Sequence, residues 1–179
     1  MNDTKILALF KDGQREKAFK KLYSLYPKIE ALVVSKGGKK QDASDVFQEA
    51  LIILNRNLEK SDFKLTSSFY TYLYSVSRFI WKDTQKKFSK EELHDLSQND
   101  VEYFHSVLEE KKYKLAERAF LKLGERCRQL LQLFYYKAMS FKEIANMMQF
   151  KSEKIAKNQK YKCLTKAKDI YRASKTVQS

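Results

Sequence analysis

The side chains with the clearest chemical potential in this sequence are arranged to bind nucleic acid. Lys154, Lys157, Asn158 and Lys162 recur in a segment whose apolar residues have helical spacing. On a helix, such side chains can donate to phosphates and to base edges in a major groove. The formal net charge of +14 favours a polyanionic partner. The alternative is a solvated basic face on an ordinary helical hairpin.

Two helices joined by a tight turn are predicted to present this basic face. Ser140 and Glu143 have the spacing of a capping box, and Ser152 is a second candidate N-cap. Apolar residues predict the inner faces of the two helices: Ile144, Met147 and Met148 in the first, and Ile155, Ala156, Cys163, Leu164 and Ala167 in the second. Lys154, Lys157, Asn158, Lys160, Tyr161 and Lys162 are expected on the remaining surface of the second helix. The pattern predicts a helix-turn-helix.

A second candidate site is an aromatic and basic helix that starts at Ser67 or Ser68 and runs through Lys87. Its predicted buried stripe is Phe69, Leu73, Val76 and Ile80, and Tyr70, Tyr74, Arg78, Trp81, Lys82 and Gln85 are expected to point elsewhere. Exposed rings between cations can stack on unpaired bases. The alternative is that some rings are core residues; we favour it for Phe69 and Tyr72 and leave it open for Tyr74 and Trp81.

A third candidate site is the acidic face of a helix predicted from Asp42 to Leu58. Val46, Ala50, Ile53 and Leu54 form its inner face, and the opposite face carries Asp45, Gln48, Glu49 and Ile52. This face could bind a basic protein surface. Asp42 and Asp45 could instead serve only as N-terminal capping residues, which their position alone favours.

The sequence argues against an enzyme and against a metal or cofactor site. It contains no Gly-rich phosphate loop and no HExxH motif, and its two histidines, His94 and His105, lie in an acidic segment. Cys127 and Cys163 have neither CxxC spacing nor a nearby His. We expect them to be reduced core residues in a cytoplasmic protein, not a disulfide or a zinc site. The N-terminus has no signal-peptide pattern, and no apolar run approaches the roughly 18 residues of a membrane span.

The charge distribution predicts two domains joined by a linker. Residues 1–87 hold 17 basic and 10 acidic residues, residues 88–111 hold 2 and 7, and residues 112–179 hold 17 and 5. With one Pro and four Gly in 179 residues, the chain is predicted to be all-α. We expect two small helical domains, 1–88 and 112–179, and an acidic linker at 89–111.

Local signals place the remaining helix ends. Asp3 is predicted to cap a first helix that Gly13 ends, and Pro27 should kink or split the apolar run from Ala18 to Val33. Gly37 and Gly38 should end that run. In the second basic block, Gly124 is predicted to separate a helix containing Leu115, Ala119, Phe120 and Leu123 from one containing Cys127, Leu130, Leu131 and Phe134.

Three blocks, in this order along the chain, resemble a bacterial RNA polymerase sigma factor of the extracytoplasmic-function type within the sigma-70 family. They are Asp42-Ala-Ser-Asp45-Val-Phe-Gln48-Glu49, the helix from Ser68 to Asp83, and the stretch from Leu123 to Ala167 with Arg126, Ser140, Glu143-Ile144-Ala145, Ser152-Glu153 and Lys157. The resemblance implies a region 2-like domain at 1–88 and a region 4-like domain at 112–179. Its implied partners are promoter DNA, the coiled coil of the largest polymerase subunit, the flap region, and an anti-sigma protein or other recruiter.

The resemblance also implies roles for individual residues. Core polymerase binding falls to Asp42, Asp45, Gln48, Glu49 and Ile52. Promoter melting and unpaired-base binding fall to Phe63, Tyr70, Tyr74, Arg78, Trp81 and Lys82. Duplex DNA binding falls to Arg126, Ser140, Ser152, Glu153, Lys154, Lys157, Asn158, Tyr161 and Lys162. The acidic linker would run along the polymerase near the RNA exit path.

The chain departs from the family pattern in its C-terminal block. Gly124 stands where Pro is usual, Ile155-Ala156 where many members have Thr-Val, and Gln159 where many have Arg. Fewer arginines mean fewer bidentate guanine contacts, so promoter choice could depend on an additional DNA-bound partner. The rival hypothesis is a stand-alone helix-turn-helix regulator that binds duplex DNA without polymerase.

Overall fold

The computed structural model describes residues 2–88 and 112–176, which contain helices and no strand. The chain separates into two compact units, Met1–Ser97 and Gln98–Ser179. The all-α prediction is confirmed. The predicted acidic linker, with His94 and His105, lies outside the described residues.

The N-terminal unit contains five helices among its described residues. These are α1 (Asp3–Lys11), α2 (Arg15–Leu22), α3 (Tyr26–Val34), α4 (Lys40–Leu58) and α5 (Phe69–Phe88), with a 3-10 turn at Tyr23–Leu25 between α2 and α3. The described part of the C-terminal unit contains α6 (112–121), α7 (Glu125–Tyr135), α8 (Phe141–Met147) and α9 (Glu153–Thr176).

Helix α4 is the centre of the N-terminal unit, because α3 and α5 both pack on it. Its predicted inner face is confirmed: Val46, Ala50, Ile53 and Leu54 are all buried. The predicted buried stripe of α5, which is Phe69, Leu73, Val76 and Ile80, is buried as well. The sheltered side of each long helix therefore follows the apolar periodicity of the sequence.

Proline and glycine end the helices where the sequence predicted. Pro27 lies in the first turn of α3, where its missing N–H costs no helical hydrogen bond, so the apolar run is split. Gly13 (φ 73°) follows α1, and Gly37 (φ 84°) follows α3, both in the left-handed region that favours glycine. The N–H of Gly38 donates to the Val33 carbonyl at 3.0 Å and completes the end of α3.

The predicted cap of α1 was wrong by one residue. Asn2 is the N-cap, and its side-chain oxygen accepts from the Lys5 N–H at 3.2 Å. The Asp3 carboxylate instead accepts from the Phe69 N–H at 3.3 Å, at the first residue of α5. Ser68 caps the same end of α5, because its hydroxyl accepts from the Thr71 N–H at 3.0 Å. Asp3 therefore connects the start of α1 to the start of α5.

In the C-terminal unit, α9 packs on both α7 and α8. The core includes Ala119, Leu123, Leu130, Leu131, Phe134, Phe141, Ile144, Met148, Ala156 and Cys163. Gly124 separates α6 from α7 as predicted and is the N-cap of α7. The unit is thus a small bundle in which α8 and α9 form the helical pair expected from the sequence.

No helix within the described ranges is both long and apolar enough to cross a membrane. Across those same ranges, no group of three or more His, Cys, Asp or Glu side chains is placed to hold a metal ion.

Candidate binding surfaces

The acidic face of α4 is exposed and its first turn is fixed by a capping box. The helix starts two residues before the predicted Asp42, and the Lys39 N–H donates to the Asp42 carboxylate at 2.7 Å. Asp42 is therefore a half-buried capping residue. The four residues predicted opposite the core are all exposed: Asp45, Gln48, Glu49 and Ile52. The carboxylates of Asp45 and Glu49 are thus available to a partner's cations.

An open apolar groove of about 720 Å³ lies beside this acidic face. Phe19 and Tyr23 form one side, and Leu51 and Ile52 of α4 form the other. Tyr23 is 54% exposed and Ile52 is 51% exposed, so two large apolar residues that line the same groove are accessible to a partner. Charged and polar residues complete the lining: Glu16, Lys20, Gln48, Asn55 and Arg56. An apolar strip with a polar rim is typical of a protein-binding site.

An ion pair joins α2 to the end of α4, close to this groove. Arg15 Nη1 donates to Glu59 Oε1 at 2.6 Å, and Asn55 Nδ2 donates to the same carboxylate at 3.1 Å. The hydrogen bond from Arg15 is the main cause of the lowered pKa of Glu59. The pair connects α2 to the end of α4 and adds little stability, because both side chains are about half exposed.

Three aromatic side chains that were candidates for binding unpaired bases are buried, including the two whose burial the sequence left open. Phe63, Tyr74 and Trp81 are 9%, 8% and 8% exposed, so none presents an open ring face on the surface. The Trp81 indole N–H donates to the Lys36 carbonyl at 3.3 Å, and the ring packs against Gly38. Tyr74 and Trp81 are core residues because α5 contacts α3 as well as α4, which widens its buried face.

Phe63 is held by a buried polar pair. Its ring packs edge-on against Tyr72 at 5.7 Å between centroids. The Tyr72 hydroxyl accepts from Asn57 Nδ2 at 2.6 Å, and Asn57 is fully buried. The Lys60 ammonium donates to the Asn57 side-chain carbonyl at 2.7 Å. The connection between α4 and α5 is therefore anchored to both helices, and Tyr72 is a core residue as we favoured.

A row of aromatic and cationic side chains lies along one side of α5, and its second member, Tyr74, is buried. Tyr70, Tyr74, Arg78 and Lys82 follow one another at intervals of four, which places them along one side of the helix. Tyr70 packs against Tyr74 at 5.7 Å, and the Lys28 ammonium lies 4.8 Å from the Tyr70 ring centroid. Tyr70 and Arg78 are half-buried, and Lys82 is exposed. The row can combine a stacking ring with cations for a nucleic-acid backbone.

In the C-terminal unit, both predicted caps of the helical pair are present. Ser140 Oγ accepts from the Glu143 N–H at 3.3 Å, and the Ser140 N–H donates to the Glu143 carboxylate at 2.7 Å. Ser152 Oγ accepts from the Ile155 N–H at 3.3 Å. The side chains of Ser140 and Ser152 thus have capping roles independent of any contact with DNA.

Arg126 supports the turn between α8 and α9. Its guanidinium donates to the Met148 carbonyl at 3.0 Å and lies 4.9 Å from the Phe150 ring centroid. The turn itself passes through Gln149 in the left-handed region (φ 56°), and the Phe150 N–H returns to the Ala145 carbonyl at 2.9 Å. The Arg126 guanidinium therefore uses one of its hydrogen bonds to stabilise the turn that precedes α9.

The exposed face of α9 carries most of the predicted DNA-binding residues. Glu153, Lys154, Asn158, Tyr161 and Lys162 are exposed, and Lys157 is half-buried. At the start of this helix, a cleft of about 470 Å³ is lined by Lys142, Asn146, Lys151, Ser152, Lys154 and others. Three ammonium groups around one cleft at a helix N-terminus suit a phosphate.

Three side chains in the pair point opposite to the prediction. Met147 and Ile155 are exposed at 57% and 43%, whereas Lys160 is only 3% exposed. Phe141 takes the inner position expected of Met147, so the buried face of α8 begins one turn earlier. The buried stripe of α9 is Ala156, Lys160 and Cys163. A lysine in this stripe requires neighbouring groups that stabilise its buried ammonium.

The prediction of two reduced cysteines was wrong, because Cys127 and Cys163 form a disulfide. Their Cα atoms are 5.4 Å apart, within the range that a disulfide requires. Sequence spacing could not reveal the pair, since 36 residues separate the two and only the packing of α7 on α9 joins them. The bond connects the first turn of α7 to the middle of α9.

Several residues of these surfaces were missed from the sequence. Phe19 and Tyr23 were assigned to a core run or passed over, although both line the α4 groove. Lys28 lies near Tyr70, and Lys142 and Lys151 line the cleft at α9. The excess of positive charge at 112–179 signalled the last two, but no local signal distinguishes them from other surface lysines.

Comparison with known proteins identifies the N-terminal unit. Residues 22–91 match the family model of sigma-70 region 2, a span that begins at the end of α2 and includes α3, α4 and α5. No curated protein matches the chain. The matched span includes the exposed acidic face of α4 and the aromatic row of α5. Over residues 22–91, the chain is therefore similar to region 2 of sigma-70 family sigma factors.

Proposed function

We propose that this chain is a sigma factor that docks on the RNA polymerase core, directs it to promoters and assists strand opening in the cytoplasm. The match to sigma-70 region 2 supports a role in promoter recognition by RNA polymerase. The observation that carries the finer proposal is the groove beside Ile52, where exposed apolar and acidic groups lie on one face of the matched domain. The chain performs no bond chemistry, and catalysis belongs to the polymerase.

Docking uses the exposed face of α4. Asp45 and Glu49 attract a basic segment of the largest polymerase subunit, and the Ile52 and Tyr23 side chains receive its apolar residues. A coiled coil suits this surface, because a helix lays apolar residues into a groove and cations along its rim. Asp42 contributes through the capping of α4. Gln48 lines the groove and supplies an amide to the partner's backbone or side chains.

Strand opening uses the row on α5. The Tyr70 ring stacks on an unpaired base, while Arg78 and Lys82 hold the backbone of the same strand. Tyr74 and Trp81 contribute indirectly: their buried rings hold α5 in position and do not contact the strand. Phe63 similarly anchors the connection before α5 through Tyr72. Binding the unpaired strand favours the melted state of the promoter.

Duplex recognition uses α9 and the cleft at its start. Lys154 and Lys151 neutralise phosphates, while Asn158 and Tyr161 face the bases, Lys157 and Lys162 flank them, and Glu153 limits which base can approach. Ser140, Ser152 and Arg126 keep α8, the turn and α9 in place. The sparse arginines on α9 support the involvement of an additional recruiter, and a fully sequence-specific upstream footprint with polymerase alone would exclude that need.

The docking proposal is tested by measuring binding of the labelled chain to purified, sigma-free polymerase core. Ile52→Asp places a charge in the groove and is expected to weaken binding at least roughly tenfold, as for a central interface residue. Val34→Asp is the matched control, because Val34 is a similarly exposed aliphatic residue (46%) on α3 outside the groove. It should bind within about twofold of the native chain. Equal losses in both variants would exclude this groove as the docking site.

The duplex-binding proposal is tested by the salt dependence of binding. Each phosphate contact that is lost should reduce the slope of log K against log salt by about 0.9. Lys154→Gln is expected to reduce this slope by about one, whereas Lys168→Gln, an exposed lysine farther along α9, should leave it unchanged. A flat salt response of the native chain would contradict a direct role in duplex binding.

A further inference from the structure

Lys160 is a buried lysine on the helix that is proposed to face DNA. It is 3% exposed, although its neighbours Lys162 and Tyr161 are exposed. The other residues of the same buried stripe on α9, Ala156 and Cys163, are small core residues. A cation at such a position is costly unless other groups replace the water that it loses. The surroundings of its ammonium group therefore indicate what the residue does.

Aromatic rings surround the ammonium group of Lys160. Its Nζ lies 3.9 Å from the ring centroid of Tyr161, 4.5 Å from that of Phe134, 5.7 Å from that of Tyr135 and 6.0 Å from that of Phe141. Phe134 and Phe141 are stacked on each other with centroids 4.9 Å apart. The negative faces of aromatic rings attract a cation at these distances. The rings come from α7, α8 and α9, so one ammonium contacts side chains of all three of these helices.

Tyr161 differs from the other rings because it is exposed. Its side chain is 45% accessible, whereas Phe134 and Phe141 are buried. The shortest of the four distances is the one from Lys160 to Tyr161. Tyr135 is close to Tyr161 as well: burial is the main cause that raises the pKa of Tyr135 to about 12, and the charge on Tyr161 adds to it. An exposed tyrosine ordinarily exchanges between rotamers, and a contact with a buried cation disfavours the rotamers that break it.

We propose that Lys160 is a positioning residue, which holds the Tyr161 ring in the orientation that contacts duplex DNA. This inference rests on the proposed function of α9. Lys160 itself reaches no phosphate, because its ammonium is enclosed by rings. Its contribution is to fix the side chain of Tyr161 before DNA arrives, which reduces the rotamer entropy lost on binding.

The experiment measures affinity of the full chain for a labelled duplex that the native chain has enriched from a random pool. Lys160→Met removes the cation and keeps the apolar stem, and Lys160→Arg keeps a cation that can stack on rings. Lys166→Met is the matched control, since it removes the same charge from an exposed position of α9. Tyr161→Ala, alone and combined with Lys160→Met, completes a double-mutant cycle.

Lys160→Met is expected to weaken binding roughly three- to tenfold, the scale of one cation–π contact, with an unchanged salt slope. Lys160→Arg should restore affinity to within about twofold, and Lys160→Met should cause no further loss in the Tyr161→Ala background. The melting temperature of Lys160→Met should be equal to or above that of the native chain, because replacing a buried charge by an apolar group is often neutral or stabilising. A simple structural role would lower both quantities together.

Two results would overturn the inference while leaving the proposed function intact. One is equal affinity of Lys160→Met and Lys166→Met, and the other is a loss in the double variant that equals the product of the single losses. If the native chain enriches no duplex from the pool, the proposed role of α9 in DNA binding fails, and the inference fails with it.

Discussion

The disulfide between Cys127 and Cys163 provides a prediction whose magnitude follows from its position in the chain. Reduction with a dithiol, or the double substitution Cys127→Ser and Cys163→Ala, removes the covalent connection between α7 and α9. The helices keep their packed faces, since Leu130, Phe134 and Ala156 remain in the core. We therefore expect a folded but less stable C-terminal unit.

The size of the effect is set mainly by the loop that the bond closes. A sequence separation of 36 residues gives an entropic stabilisation of about 4 kcal/mol in the chain-entropy model. A unit of this size has a urea m-value of about 1 to 2 kcal/mol/M, so the unfolding midpoint should fall by roughly 2 to 4 M urea. The N-terminal unit contains no cysteine, and its stability should not change.

The chain offers an internal control for the assay. Its single tryptophan, Trp81, lies in the N-terminal unit, so tryptophan fluorescence follows that unit alone. Circular dichroism follows the helices of both units. Urea titrations of oxidised and reduced chain should show a fluorescence transition that does not move and a second transition, seen by circular dichroism, that moves to lower urea.

Two outcomes would refute this reasoning. One is a difference of less than about 0.5 kcal/mol between the oxidised and reduced C-terminal units, which would mean that the loop is not restrained in the unfolded chain. The other is an equal shift of the Trp81 transition, which would mean that the effect is not confined to the unit containing the bond. Thiol titration of the unreduced, unfolded chain should find no free thiol.

Three further predictions concern single residues. Gly38→Ala should destabilise the N-terminal unit by about 1–3 kcal/mol in urea titrations followed by Trp81 fluorescence, because the new Cβ would overlap the Val33 side chain and lie 2.8 Å from the Trp81 ring; unchanged stability would contradict this packing. Ser77→Ala should raise stability by about 1 kcal/mol, since the Ser77 hydroxyl is buried with no hydrogen-bond partner in the described part of the chain, and a loss would reveal a partner. Burial raises the pKa of Tyr135 to about 12 in the folded chain, so the unfolded chain ionises first and the free energy of unfolding decreases as the pH rises from about 10 to 12. Tyr135→Phe should make this decrease smaller when unfolding is measured at alkaline pH. An identical pH dependence in the native chain and the variant would exclude the raised pKa.

Apolar periodicity and capping residues were sufficient to predict the helices and most of their buried faces. Val46, Ala50 and Leu54 define the inner face of α4, and Ser152 defines the start of α9, because each signal depends only on neighbours within two turns. Pro27 and Gly37 marked the start and the end of α3 for the same reason, because each acts through its own backbone conformation. The match of residues 22–91 to sigma-70 region 2 supports the sigma-70 resemblance for the first two of its three blocks, Asp42 to Glu49 and Ser68 to Asp83.

What could not be predicted depends on contacts between helices. The sequence left the burial of Trp81 open, because it depends on the packing of α3, after which the Lys36 carbonyl accepts from its indole. Lys160 looked like a surface cation until rings from α7 and α8 enclosed it. Cys127 and Cys163 looked independent because their proximity follows from the packing of α7 on α9. In each case the environment of the side chain depends on a second helix that packs against its own, which local sequence patterns do not reveal.

The most direct test of the central claim is transcription from promoter fragments by sigma-free polymerase core supplemented with this chain. The native chain is expected to give specific start sites. The variant carrying Asp45→Lys and Glu49→Lys should give none, because it reverses the charge of the docking face while both positions remain exposed and the fold is preserved. Equal transcription by the variant would contradict docking through α4. Tight duplex binding by the native chain with no binding to the core would contradict the sigma-factor mechanism itself.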